Sequence, residues 1–185
     1  MANLFYIMGA SGCGKDTVIQ ALRSDPRLSM QVAHRYITRP ADSGNENHIA
    51  LTEAEFHHRV EMELFSMCWH ANGLYYGVGK EIEHWLEQGQ NVLLNGSREY
   101  YPKAKQRFGE QLIPVWITVE MSQLRARLQD RGRESDTQIH DRIQRAIHYQ
   151  SSMPTEAWVI DNSGEISQSV ERFFHKLHEE SPLCS

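Results

Sequence analysis

Leu4-Phe5-Tyr6-Ile7-Met8-Gly9-Ala10-Ser11-Gly12-Cys13-Gly14-Lys15-Asp16-Thr17 is the stretch on which the reading of the whole chain turns. The apolar run Leu4 to Met8 suits a strand buried on both faces, and Val18-Ile19-Gln20-Ala21-Leu22-Arg23 suits the start of a helix. Between them, glycines let backbone N–H groups wrap an anion, and the helix N-terminus adds partial positive charge. A G-x-x-x-x-G-K run between a strand and a helix reads as a phosphate-binding loop, with Lys15 reaching the β- and γ-phosphates of a nucleotide. A plain glycine-rich turn is set aside because motif and context are both satisfied. Gly9, Ala10, Ser11, Gly12, Cys13, Gly14, Lys15, Asp16 and Thr17 are the candidate nucleotide-binding residues. One of them departs from the usual pattern. The hydroxyl that normally follows the lysine and holds Mg²⁺ is absent, and Asp16 stands there. A carboxylate is also a hard oxygen ligand, which makes Asp16 the candidate metal residue. Thr17, one step on, faces elsewhere on the helix.

A length of 185 residues fits one domain with a sizeable core. The net charge of −5 argues against a nucleic-acid partner, though phosphate ligands need only a local cluster of cations. Cys13, Cys68 and Cys184 show neither disulfide nor metal spacing, which suits a reducing cytoplasm. No secretory signal, membrane span, repeat or low-complexity tract is visible, and nothing in the sequence fixes an oligomeric state.

Downstream, Ser29 to His34 reads as a strand that opens into a polar loop, Arg35 to His48. Thr52-Glu53-Ala54-Glu55 is a capping box that starts a short helix, and Leu64 to His70 is strand-like. Asn72-Gly73 makes a turn into Leu74 to Val78, and a helix from about Lys80 stops at Gly89. Strands at Asn91–Asn95, Leu112–Val119 and Ala157–Ile160 then alternate with helices at Arg98–Phe108, Ser122–Arg131, Ser135–Tyr149 and Gly164–Glu179. The alternation predicts a three-layer α/β fold with a mainly parallel sheet. Ligands should gather at the carboxyl ends of its strands, where Gly9–Lys15, His34–Arg39, Asn95–Arg98 and Asp161–Asn162 fall.

Arg125, Arg127, Arg131, Arg133, Arg142 and Arg145 crowd together in a chain that is acidic overall. In the helix after Ser135, Ile139, Ile143, Ala146 and Ile147 make the expected core face, leaving Arg142 and Arg145 on another. These arginines read either as a solvated surface or as a lid that brings cations to a transferring phosphoryl group. The phosphate loop favours the lid, with Arg131 and Arg142 foremost, because phosphoryl transfer depends on positioning and positive charge. Arg39 follows a strand, where it is either an ordinary loop arginine or a bidentate clamp for a second phosphate. Tyr75-Tyr76 are core aromatics or a pocket wall. Ten histidines form no zinc-binding spacing, and His57 and His58 read as surface residues.

Along nearly its whole length the chain resembles the guanylate-kinase-like branch of the nucleoside monophosphate kinases. The likeness rests on the phosphate loop, Ile37-Thr38-Arg39-Pro40, Gly73-Leu74-Tyr75-Tyr76-Gly77 and Arg131-Gly132-Arg133-Glu134-Ser135, which follow that family's order. It implies one P-loop kinase domain over residues 1–185, with an acceptor-binding segment at about 36–80 and an arginine-rich lid at about 125–150. Four positions depart from guanylate kinases. Asp42 is nearest to a second acceptor arginine, and His70 replaces a glutamate that reads guanine. Val78 replaces a hydroxyl, and Asn95 replaces an aspartate. A site that loses such groups loses discrimination for guanine, so GMP is not the expected acceptor.

Val32–Arg39, Glu46–Leu51, Trp69–Gly79, Asn95–Arg98 and the Asp16 that follows Lys15 look closer to the ribose 1,5-bisphosphate phosphokinases of bacterial phosphonate degradation. That resemblance implies transfer from ATP, with Mg²⁺, to ribose 1,5-bisphosphate, giving ADP and 5-phosphoribosyl 1-diphosphate. It implies Lys15, Arg131, Arg142 and Arg145 as the residues that stabilise charge during transfer. Arg39 is then expected to hold the acceptor, and His70, Tyr76, Asn95 and Arg98 to meet its sugar or second phosphate. The competing expectations are an ordinary nucleoside monophosphate kinase and a catalytically silent interaction module of the same fold.

Overall fold

The computed structural model describes residues 2–43, 46–130, 132, 135–150 and 153–180. The chain divides into two compact units, one of residues 1–6 and 26–113 and the other of residues 7–25 and 114–185. Strand β1 (Leu4–Gly9) begins in the first unit and finishes in the second. All six of its residues are buried, as the unbroken apolar run predicts.

In the first unit, β2 (Gln31–Val32) pairs in parallel with β7 (Val92–Asn95), and β7 neighbours β1. The same unit carries a second sheet of four strands, of which the sequence reading anticipates only the hairpin of Leu64–His70 and Leu74–Val78. Its order is β4 (Ile49–Ala50), β3 (Arg35–Ile37), β6 (Leu74–Gly79) and β5 (Phe65–Ala71). The expected polar loop from Arg35 thus begins as a strand, because Ile37 is fully buried and pairs antiparallel with Tyr76. Strands of two or three residues carry too little alternation to be read from sequence. The β5–β6 hairpin turns at Asn72-Gly73 with φ of 52° and 73°, the left-handed pair that a two-residue hairpin turn requires. Helix α2 (Glu53–Glu61) starts at the expected capping box, in which Thr52 and Glu55 bond each other reciprocally. Helices α3 (Glu81–Glu87) and α4 (Tyr101–Phe108) complete this unit, and Gly89 (φ 78°) ends α3 as expected.

The second unit holds the rest of β1, then β8 (Leu112–Thr118, of which residues 114–118 lie here) and β9 (Trp158–Asp161), adjacent in that order. β8 and β9 pair in parallel. Around them run α1 (Lys15–Ser24), α5 (Met121–Asp130), α6 (Asp136–Gln150) and α7 (Ile166–Glu180). The second capping box is present too, with Ser135 and Gln138 exchanging bonds at the start of α6. Ile139, Ile143 and Ala146 are buried as their spacing predicts, but Ile147 is exposed, one position past the buried stripe. Among the described residues no helix is long and apolar enough to cross a membrane.

Candidate active site

Candidate residues fall into two clusters, one in each unit. In the second unit the phosphate loop links β1 to α1. Gly12 (φ 93°) and Gly14 (φ 92°) take the left-handed backbone that the motif needs, and Gly14 caps α1. The loop is also close-packed. A Cβ on Gly14 would lie 2.4 Å from Asn162 Nδ2, and one on Gly9 would lie 2.5 Å from the Ile117 carbonyl. Cys13 is fully buried beneath the loop. The Lys15 ammonium donates to the carbonyls of Gly9 (3.2 Å) and Ala10 (3.4 Å), so it lies across the loop that it follows.

Residues far along the chain brace this loop. Buried Asn162, just after β9, donates from Nδ2 to the Cys13 carbonyl at 2.8 Å, while its Oδ1 accepts from the buried Ser169 hydroxyl at 2.9 Å. Arg127 on α5 donates to the Cys13 carbonyl (3.4 Å) and to the Asn162 carbonyl (2.8 Å). Beside them opens a cavity of about 320 Å³ lined by Gly12, Gly14, Thr17, Arg127, Asp130, Asn162, Gly164 and Ile166. The expected nucleotide residues Gly12, Gly14 and Thr17 therefore meet Arg127 of the expected arginine cluster, Asn162 of an expected ligand-gathering strand end, and Asp130, which the sequence does not single out. Asn162 does lie at a strand's carboxyl end, a visible signal. Arg127 bonds main-chain carbonyls, which leave no mark in the sequence.

Among the lid residues, Arg142 donates to the Ser11 hydroxyl at 3.3 Å and so reaches the loop. Arg145 is exposed, and its Nε bonds the Asp141 carbonyl of its own helix. Arg131 lies outside the described residues. Asp16 is half-buried in the first turn of α1. Among the described residues no three His, Cys, Asp or Glu side chains gather as a metal cage. A single carboxylate beside a phosphate cradle suits Mg²⁺, which keeps waters and phosphate oxygens as its other ligands.

The first unit holds the other cluster. Arg35 meets Glu46 with two guanidinium nitrogens on two carboxylate oxygens, at 2.6 and 2.5 Å. Arg39 Nη2 lies 3.2 Å from His48 Nδ1 and 3.6 Å from Glu46, while its Nε is buried without a hydrogen-bond partner among the described residues. Burial opposes the charge on Glu46, but the Arg35 hydrogen bonds and the Arg35, Arg39 and His48 charges outweigh it and hold the carboxyl below its ordinary value. Arg35, Glu46 and His48 are further residues to which the sequence assigns no individual role, although they lie in the His34–Arg39 and Glu46–Leu51 segments noted above.

Strand alternation sorts the remaining candidates. Ile37 pairs with Tyr76 and Trp69 pairs with Tyr76, which sets Arg35, Tyr76 and Trp69 on one face of the second sheet. Tyr76 is buried, with the Arg35 guanidinium 5.2 Å from its ring centre and the Trp69 indole parallel to it. His70 turns to the other face, against the Tyr75 ring at 4.8 Å, where Phe56 of α2 also packs. The structure thus places Trp69, and not His70, beside Tyr76. Asn95 is buried at the end of β7, and Arg98 is half-buried in the turn after it. That turn is pinned by Tyr6, whose hydroxyl accepts from Ser97 N and donates to Ser97 O. Burial raises the Tyr6 phenol above its ordinary pKa, so it stays a neutral donor.

Set against known proteins, the chain matches the guanylate kinase family over residues 1–177. The chain belongs to that family. It is 49% identical to the ribose 1,5-bisphosphate phosphokinase PhnN of Enterobacter lignolyticus, across 94% of this chain and 90% of that protein. The protein of the same name from Yersinia pestis is 46% identical, across 99% of this chain and 95% of its own length. The solved guanylate kinase of Anaplasma phagocytophilum superposes with a TM-score of 0.75 over 99% of this chain and 89% of its own, at 18% identity. This family membership accounts for the α/β P-loop architecture, with its mainly parallel sheet and glycine loop.

Proposed function

We propose that this chain is an ATP-dependent kinase that converts ribose 1,5-bisphosphate into 5-phosphoribosyl 1-diphosphate. The observation that carries the reading is identity of 46–49% with proteins of that name, over 94% or more of the chain. The geometry supports it at both clusters. A glycine cradle, the Lys15 ammonium and a cavity of about 320 Å³ suit the phosphates and base of ATP. At the other cluster, the unpartnered Arg39 Nε offers a buried donor to an acceptor phosphate.

In the reaction, an oxygen of the 1-phosphate attacks the γ-phosphorus of ATP, and the bond from that phosphorus to the β–γ bridging oxygen breaks. The attacking oxygen is already ionised, so the enzyme needs positioning and positive charge rather than a general base. Lys15, Arg142, Arg145 and Arg131 neutralise charge on the transferring group. Asp16 supplies a carboxylate oxygen to Mg²⁺, which when bound neutralises the nucleotide phosphates. Arg39 holds the acceptor, with Tyr76, Asn95 and Arg98 as candidates for its sugar and second phosphate, whereas His70, on the other face of the sheet, is set apart from them. Residues 36–80 then act as the acceptor segment and residues 125–150 as the lid, within a single kinase domain. The free thiols of Cys13 and Cys68 suit work in a reducing cytoplasm, within phosphonate breakdown and the supply of activated ribose phosphate.

Phosphorus NMR of the purified protein with MgATP tests this, with ribose 1,5-bisphosphate, GMP or no acceptor in separate tubes. A diphosphate signal that grows with the ribose bisphosphate alone is the expected result. Faster turnover of GMP would overturn the reading in favour of a nucleotide kinase.

A further inference from the structure

Three aromatic rings on the acceptor unit are stacked into one column. Trp69 lies against Tyr76 with ring centres 5.5 Å apart and planes within 2°, and against Tyr100 at 5.3 Å and 29°. Charged groups close the column at both ends. The Arg35 guanidinium lies 5.2 Å from the Tyr76 ring centre, and the Lys103 ammonium lies 6.0 Å from that of Tyr100. The sheet order β3–β6–β5 puts Arg35 and Trp69 on opposite sides of Tyr76. Tyr76 is therefore flanked on both sides, and the half-buried indole stacks with two phenol rings.

Indole and purine are both flat, fused bicyclic aromatic plates of closely similar size. A slot lined by two phenol rings that holds one holds the other, and stacking is indifferent to which base supplies the π-face. We infer that Trp69 fills a purine-shaped slot with the protein's own side chain and thereby excludes nucleoside monophosphates from the acceptor unit. A phosphate held by Arg39 then shares its surroundings with a sugar but not with a base. Trp69 is in this sense a specificity residue that acts by occupancy, a repulsive element rather than an attractive one. The inference rests on the acceptor role proposed above for residues 36–80.

Calorimetric titration of the wild type, Trp69→Ala and Trp69→Leu with GMP and with CMP tests it, alongside turnover of ribose 1,5-bisphosphate. Circular dichroism identifies which variants keep the fold. Emptying the slot should tighten GMP binding by roughly tenfold or more in Trp69→Ala, with a smaller gain for CMP and for Trp69→Leu. Ribose bisphosphate turnover, followed in parallel, reports separately on the acceptor role of residues 36–80. Unchanged GMP affinity in a folded variant would overturn the inference. So would a wild type that binds GMP more tightly than CMP by roughly tenfold, a measurement that needs no variant. If the wild type instead fails to turn over ribose bisphosphate, the functional proposal fails, while the GMP titrations still decide the role of Trp69.

Discussion

Arg142 on α6 donates a hydrogen bond to the Ser11 hydroxyl across 131 residues of sequence, at 3.3 Å. The contact brings a guanidinium from an exposed helical face to the phosphate loop, where charge develops as a phosphoryl group moves. Arg142→Ala should therefore lower kcat by roughly 10²-fold, with a smaller change in the KM for ATP. Ser11→Ala, which removes only the partner hydroxyl, should change kcat little. Steady-state kinetics with saturating acceptor make the comparison, and a wild-type kcat in Arg142→Ala would remove this residue from the mechanism.

Lys15→Ala should abolish transfer while the fold persists, since among the described residues the ammonium bonds only the Gly9 and Ala10 carbonyls of its own loop. A melting temperature close to wild type together with loss of product in phosphorus NMR is the expected pair of results.

Asn162→Ala leaves the Cys13 carbonyl with only the longer Arg127 bond and the Ser169 hydroxyl with only the Asp161 carbonyl. The stability loss should be about 2 kcal/mol, with a raised KM for ATP and a kcat that is largely kept. Chemical denaturation and an ATP titration read the two effects separately. Gly14→Ala reaches the same contact from the other side. Its Cβ would sit 2.4 Å from Asn162 Nδ2 on a backbone with φ of 92°, and ATP binding should fall sharply.

Glu46 has a carboxyl pKa below its ordinary value in the folded chain. A lowered folded value means that its contribution is fully present above the unfolded value, about 4.3, and is lost as pH falls through the lower folded one. Glu46→Gln should be less stable by about 2 kcal/mol at neutral pH, because the Arg35 guanidinium loses its charged partner. The deficit should shrink as pH falls below about 4.3, and denaturation midpoints across that range would show it. A deficit that is constant with pH would mean that the pair contributes nothing through its charge.

What was legible in the sequence was local. The phosphate loop, both capping boxes, the Asn72-Gly73 turn and the Gly89 helix stop each lie within a few residues, and each is present. What was not legible depends on partners brought together by the fold. The short strands Arg35–Ile37 and Ile49–Ala50 exist because they pair with each other, and the former also with β6, a fact that no window of sequence contains. The choice between Trp69 and His70 for the Tyr76 face is a matter of register. An irregularity between Phe65 and Met67 shifts the β5 pairing, so counting along the strand does not settle the facing residue. Arg127 is visible in the sequence only as one of a run of arginines, because its partners are carbonyls, which every residue carries.

The brace on Cys13 also has a history in time. Asn162 follows Cys13 by 149 residues, so a growing chain shows its phosphate loop long before it shows what steadies that loop. During synthesis the glycine segment exists first as an unsupported turn, and it becomes a nucleotide cradle only when β9 and α7 have been made. Competence to grip ATP thus arrives only once the chain has grown 149 residues past Cys13, and a ribosome that stalls before then leaves a fragment with the motif but without the grip.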